Sequence, residues 1–328
     1  MKTKTRSRII ANPASGKDVR RLVARASVFD NQEKRAIVRR ALLGIAAAGE
    51  SSIAYMDDPH GIVHLALEDT GGNLDSKAVT ATRTASVMDT VSAARSMQEI
   101  SCEVVITLGG DGTNRAVAQG WQDIPLIPIS TGTNNVFPIF VEATIAGAAA
   151  GLIASGAVPF AEVAQQQKLI RISIEDEKSD IALIDAVLTS ERFVGSRALL
   201  SPELLRMALL TRADPAAVGM TAIGGLLSPM SASAESGMLA EMGESGSELR
   251  APIAPGYYQS VRVTNQRSVS FAEETIVEGP GVLAFDGERE RSLKPGQKAY
   301  LSIDRCGPWV VDVEKTMHLA AEKGSFRR

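Results

Sequence analysis

The stretch VVITLGGDGT, residues 104–113, decides the fold of this chain. Its first five residues are mostly β-branched and predict a buried strand over residues 103–108. Three glycines, an aspartate and a threonine follow directly, and residues 113–119 are predicted to be helical. A strand that passes through such a turn into a helix is a repeating unit of a parallel sheet, and ligands of these sheets bind beyond the carboxyl ends of the strands.

The same alternation of short apolar runs and longer amphipathic runs extends through the first half of the chain. It predicts strands at residues 8–11, 52–56, 78–82 and 125–129, and helices at residues 18–26, 32–48, 60–68, 86–99 and 142–155. We therefore expect an α/β nucleotide-binding domain with a parallel sheet over residues 1–157. The uncharged run at residues 143–161 is mostly Ala, Gly and Ser and contains Pro159, so we interpret it as a closely packed helix and not a membrane span.

The second half of the chain has a different pattern. Strands are predicted at residues 169–174, 181–189, 259–264, 268–271, 282–285, 299–303 and 309–313, which indicates a β-rich substrate domain over residues 158–313. Residues 231–247, rich in Ser, Gly, Met and Glu, are interpreted as either a mobile loop or a short helix that faces a partner. A helix at residues 314–323 is predicted to return to the first domain, so that residues 314–328 complete that domain.

Length and composition limit the classes of function. The 328 residues suit two domains, and 45% hydrophobic with 22% charged residues is ordinary for a globular protein. A net charge of −3 gives no bulk attraction to nucleic acid or to an anionic membrane and favours small anionic ligands. Cys102 and Cys306 fit neither a zinc site nor a disulfide framework, and the basic N-terminus lacks the apolar core of a signal peptide. We therefore expect a cytoplasmic protein.

The glycine-rich turn combines features of a phosphate site. Gly109, Gly110 and Gly112 lack Cβ atoms, which predicts positive φ values and close approach of phosphate oxygens to the backbone. Thr113 is predicted to cap the following helix. Asp111 would repel a phosphate, so we interpret it as a magnesium ligand or as the base that orients an attacking hydroxyl. The alternative is a tight turn with Asp111 at its solvated tip.

Several other chemistries are disfavoured. Arg115 stands where the dinucleotide fingerprint requires its third glycine. The turn at residues 12–18, Asn-Pro-Ala-Ser-Gly-Lys-Asp, lacks the first glycine of a P-loop and has Asp18 after the lysine. His60 and His64 lack the glutamate of a zinc-protease helix, and no Gly-x-Ser-x-Gly elbow supports a serine hydrolase.

Three segments together carry a family resemblance: residues 10–18, 104–120 and 130–136. They resemble the loops of the ATP-NAD kinase and diacylglycerol kinase-like superfamily. Within it, the whole chain is most similar to the acetoin catabolism protein X group, also called ATP-NAD kinase-like proteins. The resemblance implies ATP as phosphoryl donor, Mg²⁺, an α/β first domain, a β-sandwich-like second domain, an active site in the cleft between them, and self-association into a homo-oligomer.

The resemblance also implies roles for particular residues. Asp111 matches the catalytic aspartate and is also a candidate metal ligand. The segment from Asp286 to Glu288 resembles the Asp-Gly-Glu of the lipid-kinase branch, which makes Asp286 a candidate metal ligand and Glu288 a candidate catalytic residue. A plain hairpin turn is the alternative for Asp286-Gly287. The implied nucleotide-binding residues lie in the three loops and are Asn12, Ser15, Gly16, Lys17, Gly109, Gly110, Gly112, Thr113, Thr131, Gly132, Thr133, Asn134 and Asn135.

The acceptor is less well defined by the sequence. Thr221, Gly224 and Gly225 resemble a later glycine-rich loop that holds substrate, with a flexible linker as the alternative. Where NAD kinases carry an Asn-Glu pair, this chain has Ile184 and Asp185, which keeps one carboxylate and loses the amide. Three hypotheses follow: a kinase with the ribose 2′-hydroxyl of NAD as first candidate acceptor, a non-catalytic nucleotide-binding regulator linked to acetoin catabolism, and a kinase of lipids or small alcohols.

Overall fold

The computed structural model describes residues 7–15, 30–71, 74–100, 102–132, 134–191 and 201–327, without the side chains of residues 288–290. The helix predicted at residues 18–26 lies outside these ranges, as do Gly16, Lys17 and Thr133. The elements are, in chain order, β1 (Ser7–Ala11), α1 (Asn31–Ala47), β2 (Ser52–Met56), α2 (Ile62–Glu68), β3 (Asp75–Val79), α3 (Val87–Glu99), β4 (Val104–Gly109), α4 (Asp111–Gly120), β5 (Pro125–Ser130), α5 (Ala143–Ala154), α6 (Phe160–Val163), β6 (Ala164–Gln166), β7 (Leu169–Ile174), β8 (Asp180–Ala182), β9 (Asp185–Thr189), β10 (Leu205–Leu210), α7 (Met220–Leu227), β11 (Ser236–Ala254), β12 (Tyr257–Ser270), β13 (Thr275–Glu278), β14 (Gly281–Phe285), β15 (Glu288–Leu293), β16 (Lys298–Asp304), β17 (Trp309–Val311) and α8 (Val313–Glu322).

The N-terminal half is built on a seven-stranded sheet in the order β3-β2-β1-β4-β5-β17-β6. All neighbours are parallel except β6, which runs antiparallel to β17. Helices α1, α2, α5 and α8 contribute to the apolar core on one face, and α3 and α4 to the core on the other. The predicted α/β fold with a parallel sheet is confirmed.

The sheet takes strands from both sides of the domain boundaries predicted at residues 157 and 313. Trp309 and Val310 of β17 pair with Pro125 and Leu126 of β5, and β6 completes the edge. The predicted C-terminal helix is present as α8, which packs against α5. The chain therefore crosses from the first sheet to the second half after β6 and returns at β17.

Helices α1 and α5 meet backbone to backbone. A Cβ atom at Gly147 would lie 2.0 Å from the carbonyl oxygen of Ala41, and one at Gly44 would lie 2.1 Å from that of Thr144. The contact depends on glycine at both positions because any side chain would collide with main-chain atoms. The prediction of a closely packed helix is confirmed for residues 143–154, and none of the helices in the described ranges has the length and hydropathy to cross a membrane.

The second half forms two antiparallel sheets, in the orders β12-β11-β10-β9-β14-β15 and β13-β16-β7-β8. Apolar side chains from both sheets, such as Leu188 and Leu283 from one and Ile172 and Leu301 from the other, form a shared core. The predicted β-sandwich-like architecture is therefore confirmed.

The structure corrects several predicted elements in this half. Residues 236–254 are the long strand β11, so the loop or helix predicted at residues 231–247 is wrong for most of its length. The register with β12 shifts between Met242 and Ser247, and this irregularity accommodates two glycines that look like loop residues in the sequence. The strands predicted at residues 259–264 and 268–271 are one strand, β12, while residues 181–189 divide into β8 and β9.

Candidate active site

Asp111 lies where the sequence predicted it, beyond the carboxyl end of β4 and in the first turn of α4. Its Oδ1 accepts hydrogen bonds from the backbone N–H groups of Val136 at 3.0 Å and Phe137 at 2.8 Å, and its Oδ2 accepts from Val136 at 3.1 Å. The alternative of a solvated tip is therefore wrong. The carboxylate connects the glycine-rich turn to the loop that follows β5.

The glycines of this turn are required for a different reason from the one predicted. Neither Gly109 nor Gly110 has a positive φ. A Cβ atom at Gly109 would lie 2.4 Å from the Cβ of Thr113, and one at Gly110 would lie 2.7 Å from Oδ1 of Asn135. The prediction of positive φ is wrong at these two positions, where close packing of side chains requires glycine, and also at Gly112, which lies in helix α4.

The structure brings the three predicted nucleotide loops together. Asn12 Nδ2 donates to Thr113 Oγ1 at 2.9 Å, which joins the first loop to the glycine-rich turn. The hydroxyls of Ser15 and Thr131 are 3.1 Å apart, which joins the first loop to the third. Asn135 Nδ2 donates to the hydroxyl of Ser130 at 2.9 Å within the third loop, where Gly132 and Asn134 also lie.

Lys34, which no sequence pattern singles out, holds the first loop in place. This lysine is fully buried on α1, and its Nζ donates to the carbonyl oxygens of Asn12 at 3.1 Å, Pro13 at 3.0 Å and Ser15 at 2.7 Å. A buried ammonium group with carbonyl partners fixes the backbone of the loop that it caps. In the sequence, Lys34 looks like one of several charged residues of an amphipathic helix.

Asp286 lies at the other side of the site. Asp286 and Gly287 have φ values of 50° and 77° and form a two-residue hairpin turn between β14 and β15, so the hairpin alternative describes the backbone correctly. The side chain of Asp286 is nevertheless buried, with 4% exposed. The carboxylate accepts from the N–H groups of Leu183, Ile184 and Asp185, the shortest being 2.7 Å to Ile184. Glu288 begins β15, and its side chain is not among those that the structure describes.

The two carboxylates influence each other. Burial raises the pKa of Asp111 to about 7, although the N–H groups of Phe137 and Val136 and the charge of Arg212 act in the opposite direction. The negative charge of Asp286 contributes to this rise. Burial also raises the pKa of Asp286, against the effect of Arg115 and of the backbone amides. The site therefore contains a carboxyl group that titrates near neutral pH, a range suited to a general base.

Two arginines surround this carboxylate pair. Arg115 of α4 donates from Nε to the carbonyl oxygen of Ile181 at 2.6 Å and from Nη2 to Asp180 Oδ2 at 2.9 Å, so it connects the first half of the chain to β8. Arg212 follows β10, and the charges of Asp111, Asp214 and Asp286 favour its charged form while burial lowers its pKa. The second arginine thus brings positive charge between the two acidic groups.

The two candidate metal ligands, Asp111 and Asp286, suit a magnesium ion that is also bound by substrate phosphates. Within the described ranges, no group of three or more His, Cys, Asp and Glu residues is placed to hold a metal ion. Mg²⁺ at nucleotide sites is usually held by one or two carboxylates together with substrate phosphates, which Asp111 and Asp286 match in number and chemistry. Among the residues that the structure describes, one backbone N–H group donates to Oδ2 of each, which leaves lone-pair capacity.

The predicted substrate loop is a helix. Thr221, Gly224 and Gly225 lie in α7 and are buried, so both the glycine-rich loop and the flexible linker are wrong descriptions of this segment. A Cβ atom at Gly225 would lie 2.2 Å from backbone atoms of Asp214 and Pro215, which makes its role one of packing. Asp185 opens β9 and is 9% exposed, next to Asp286. Contact of these residues with substrate stays a prediction.

Comparison with known proteins identifies the family. The chain is 37% identical over 339 residues to acetoin catabolism protein X of Cupriavidus necator, an alignment that covers 97% of this chain and 93% of that protein. The chain belongs to the acetoin catabolism protein X family. Residues 168–306 match the model of the acetoin catabolism protein X C-terminal domain, and residues 10–158 match that of the ATP-NAD kinase N-terminal domain.

Solved structures agree with the fold of this acetoin catabolism protein X family member. Yeast NADH kinase in complex with NADH superimposes with a TM-score of 0.52 at 13% identity, covering 99% of this chain and 89% of that one. A putative diacylglycerol kinase from Bacillus anthracis gives a TM-score of 0.49 at 13% identity, covering 95% and 98%. At this identity, the first comparison establishes a shared fold.

Proposed function

We propose that this protein is a phosphotransferase that moves the terminal phosphoryl group of ATP to a hydroxyl group of a small molecule. The observation that carries the proposal is the position of Asp111, beyond the carboxyl end of β4, bonded to the third loop and within electrostatic range of Asp286. Ligands of open α/β sheets bind at this position, and a pKa of about 7 suits proton abstraction by Asp111. The ribose 2′-hydroxyl of NAD is the first acceptor to test.

The proposed reaction is an in-line displacement. Asp111 takes the proton of the acceptor hydroxyl, the acceptor oxygen forms a bond to the γ-phosphorus, and the bond from that phosphorus to the bridging oxygen breaks. ADP leaves with the electron pair of the broken bond. Ser15, Asn134 and Asn135 are proposed to position the nucleotide, and so is Lys17, which lies outside the described ranges. Mg²⁺, held by Asp286 and Asp111 with the phosphates, would neutralise phosphate charge when bound.

The test is acceptor-dependent release of ADP. Purified wild type is offered ATP with NAD, NADH, small alcohols and lipid alcohols, and Asp111→Asn is compared with Asp75→Asn, a change on an exposed strand residue. We expect Asp111→Asn to abolish turnover and to spare nucleotide affinity, while Asp75→Asn keeps wild-type turnover. Undiminished turnover by Asp111→Asn would contradict the role of this residue as the base.

A non-catalytic nucleotide sensor is the second candidate. The observation in its favour is the segment before β9, where Ile184 replaces the amide side chain of NAD kinases and is 1% exposed. Its backbone N–H donates to Asp286, and its buried apolar side chain provides no amide group to bind a dinucleotide. Binding of ATP or NAD without ADP release from any acceptor would select this candidate.

An apolar acceptor is a third candidate. A groove of about 840 Å³ is lined by apolar residues including Ile139, Phe140 and Val310, and also by Gln167. Gln167 accepts a hydrogen bond from Arg212, so the groove borders the site of Asp111. ADP release with lipid alcohols and not with NAD would select this acceptor class.

Location and assembly are also part of the proposal. The cysteines of the described ranges, Cys102 and Cys306, are free thiols, which supports a reducing cytoplasm as the location. Self-association into a homo-oligomer is proposed from the resemblance to the kinase superfamily. Light scattering on the purified chain tests it.

A further inference from the structure

Arg212 is held beside the candidate site by contacts from both halves of the chain. Its guanidinium carbon lies 6.0 Å from the centroid of the Phe137 ring, in the loop whose backbone donates to Asp111. Its Nη2 donates to Gln167 Oε1 at 3.0 Å. An aromatic face and a side-chain amide therefore orient a planar cation beside the carboxylate pair.

The hydrogen-bonding capacity of Arg212 is only partly used. Its Nε is buried and makes no hydrogen bond to any atom of the described residues. Arg115, the other arginine of the site, uses both Nε and Nη2 on protein oxygens. Lys168 is also near, but its Nζ donates to the carbonyl oxygens of Ser231 at 3.3 Å and Ser236 at 2.7 Å. Of these three cations, Arg212 is the one with a buried N–H group that has no hydrogen-bond partner among the described residues.

A buried donor without a protein partner is unfavourable unless a ligand satisfies it. An anionic ligand that approaches Asp111 and Asp286 is repelled by both, so a cation must lie at the point of approach. Arg212 lies within electrostatic range of both carboxylates and has the fork geometry that suits phosphate oxygens. Arg212 therefore combines the buried donor and the positive charge that an anionic ligand needs at this site.

We propose that Arg212 is a phosphate-binding residue of the site, whose Nε–H group donates to a phosphate oxygen of the ligand beside Asp111. This inference rests on the proposed function for the identity of the ligand as a nucleotide. The phosphate belongs either to the terminal group of ATP or to an acceptor such as NAD, and the chemistry of recognition is the same.

The experiment is calorimetric titration of the full chain with ATP, ADP, adenosine, NAD and pyrophosphate. We expect Arg212→Gln to weaken binding of the phosphate-bearing ligand by about 10- to 100-fold, since a charge-assisted hydrogen bond is lost. Adenosine binding is expected to be unchanged. Arg212→Lys keeps the charge without the fork and should recover part of the affinity. A greater loss for ATP than for ADP assigns the donor's terminal phosphate, and a loss confined to NAD assigns the acceptor.

Arg171→Gln is the matched control, because Arg171 is exposed and paired with Asp304 outside the cleft. If Arg212→Gln does not fold, as judged by circular dichroism, the same titrations are made with Arg212→Lys and with Gln167→Ala. The second of these variants removes the amide that orients Arg212. Wild-type phosphate affinity in the folded variants would overturn the proposal, as would a wild type that binds none of the phosphate compounds. Reduced affinity in Arg212→Gln, with no ADP release by the wild type, would support Arg212 and reject phosphotransfer.

Discussion

The carboxylates of Asp111 and Asp286 come from opposite halves of the chain and lie close enough for the charge of Asp286 to raise the pKa of Asp111. Each is held by backbone N–H groups of a neighbouring loop, Asp111 by the loop after β5 and Asp286 by the segment before β9. Burial raises the proton affinity of the proposed base most, and the position of Asp286 relative to it raises the affinity further.

Removal of the charge at Asp286 should make Asp111 more acidic. In Asp286→Asn, Oδ1 of the asparagine can still accept the three N–H groups that bond Oδ1 of the aspartate, and asparagine tolerates a positive φ. We expect the acidic limb of the pH–rate profile, with a midpoint near pH 7 in the wild type, to move to lower pH. Asp304→Asn, on the exposed Arg171 ion pair, is the control. An unchanged midpoint in Asp286→Asn would reject the coupling.

Asp111 should make stability depend on pH. Its pKa is raised in the folded state from 3.8 to about 7, so its contribution to stability is fully present below pH 3.8 and is lost as pH rises through 7. Asp111→Asn is neutral at all pH values and keeps an Oδ1 acceptor for Val136 and Phe137. We therefore expect the stability of the variant relative to the wild type to be greater at pH 8 than at pH 5 by a few kcal/mol, in denaturant unfolding at the two pH values. A pH-independent difference would contradict this.

Lys34 should support both stability and ligand affinity. Lys34→Met leaves the carbonyl oxygens of Pro13 and Ser15 without their buried donor. We expect a loss of about 2–4 kcal/mol in the free energy of unfolding and weaker ATP binding, because the first loop loses its anchor. Arg39→Met, at an exposed position of the same helix, is the control and should change neither quantity. Equal stability of the two variants would show that Lys34 does not anchor the loop.

Gly110 and Asn135 should be energetically coupled. Gly110→Ala places a Cβ atom 2.7 Å from Asn135 Oδ1, so we expect lower stability and lower ATP affinity. Asn135→Ala removes the colliding atom, and Gly110→Ala should cost at least about 1 kcal/mol less in that background. A double-mutant cycle on unfolding free energies measures the coupling. Additive effects would indicate that the glycine serves the backbone and not this contact.

Much of the fold follows from the sequence because it depends on local periodicity. The strand over residues 104–109 and the helix over residues 143–154 are evident from runs of β-branched or small apolar residues. The elements that were predicted wrongly are those in which pairing with a distant strand overrides the local sequence pattern. The glycines of residues 243–246 resemble a loop, but β12 supplies a partner for both flanks of β11.

The site was predictable only where a motif is contiguous. Asp111 and the loops around Asn12 and Asn135 are visible as short glycine-containing or polar turns that follow strands. Lys34 and Arg212 carry no such pattern, because each acts on residues far away in the chain. A charged residue in an amphipathic helix or at a strand end looks solvated until the fold shows what covers it.

The position of β17 has a consequence for synthesis of the chain. Strand β6 joins the first sheet through β17, whose residues are translated after all the strands of the second half. While the ribosome is still making the second half, the edge of β5 lacks its neighbour and is open to pairing with other chains. The half that emerges first is thus completed after the second half, because the N-terminal sheet receives β17 and β6 only when the strands between them have been made.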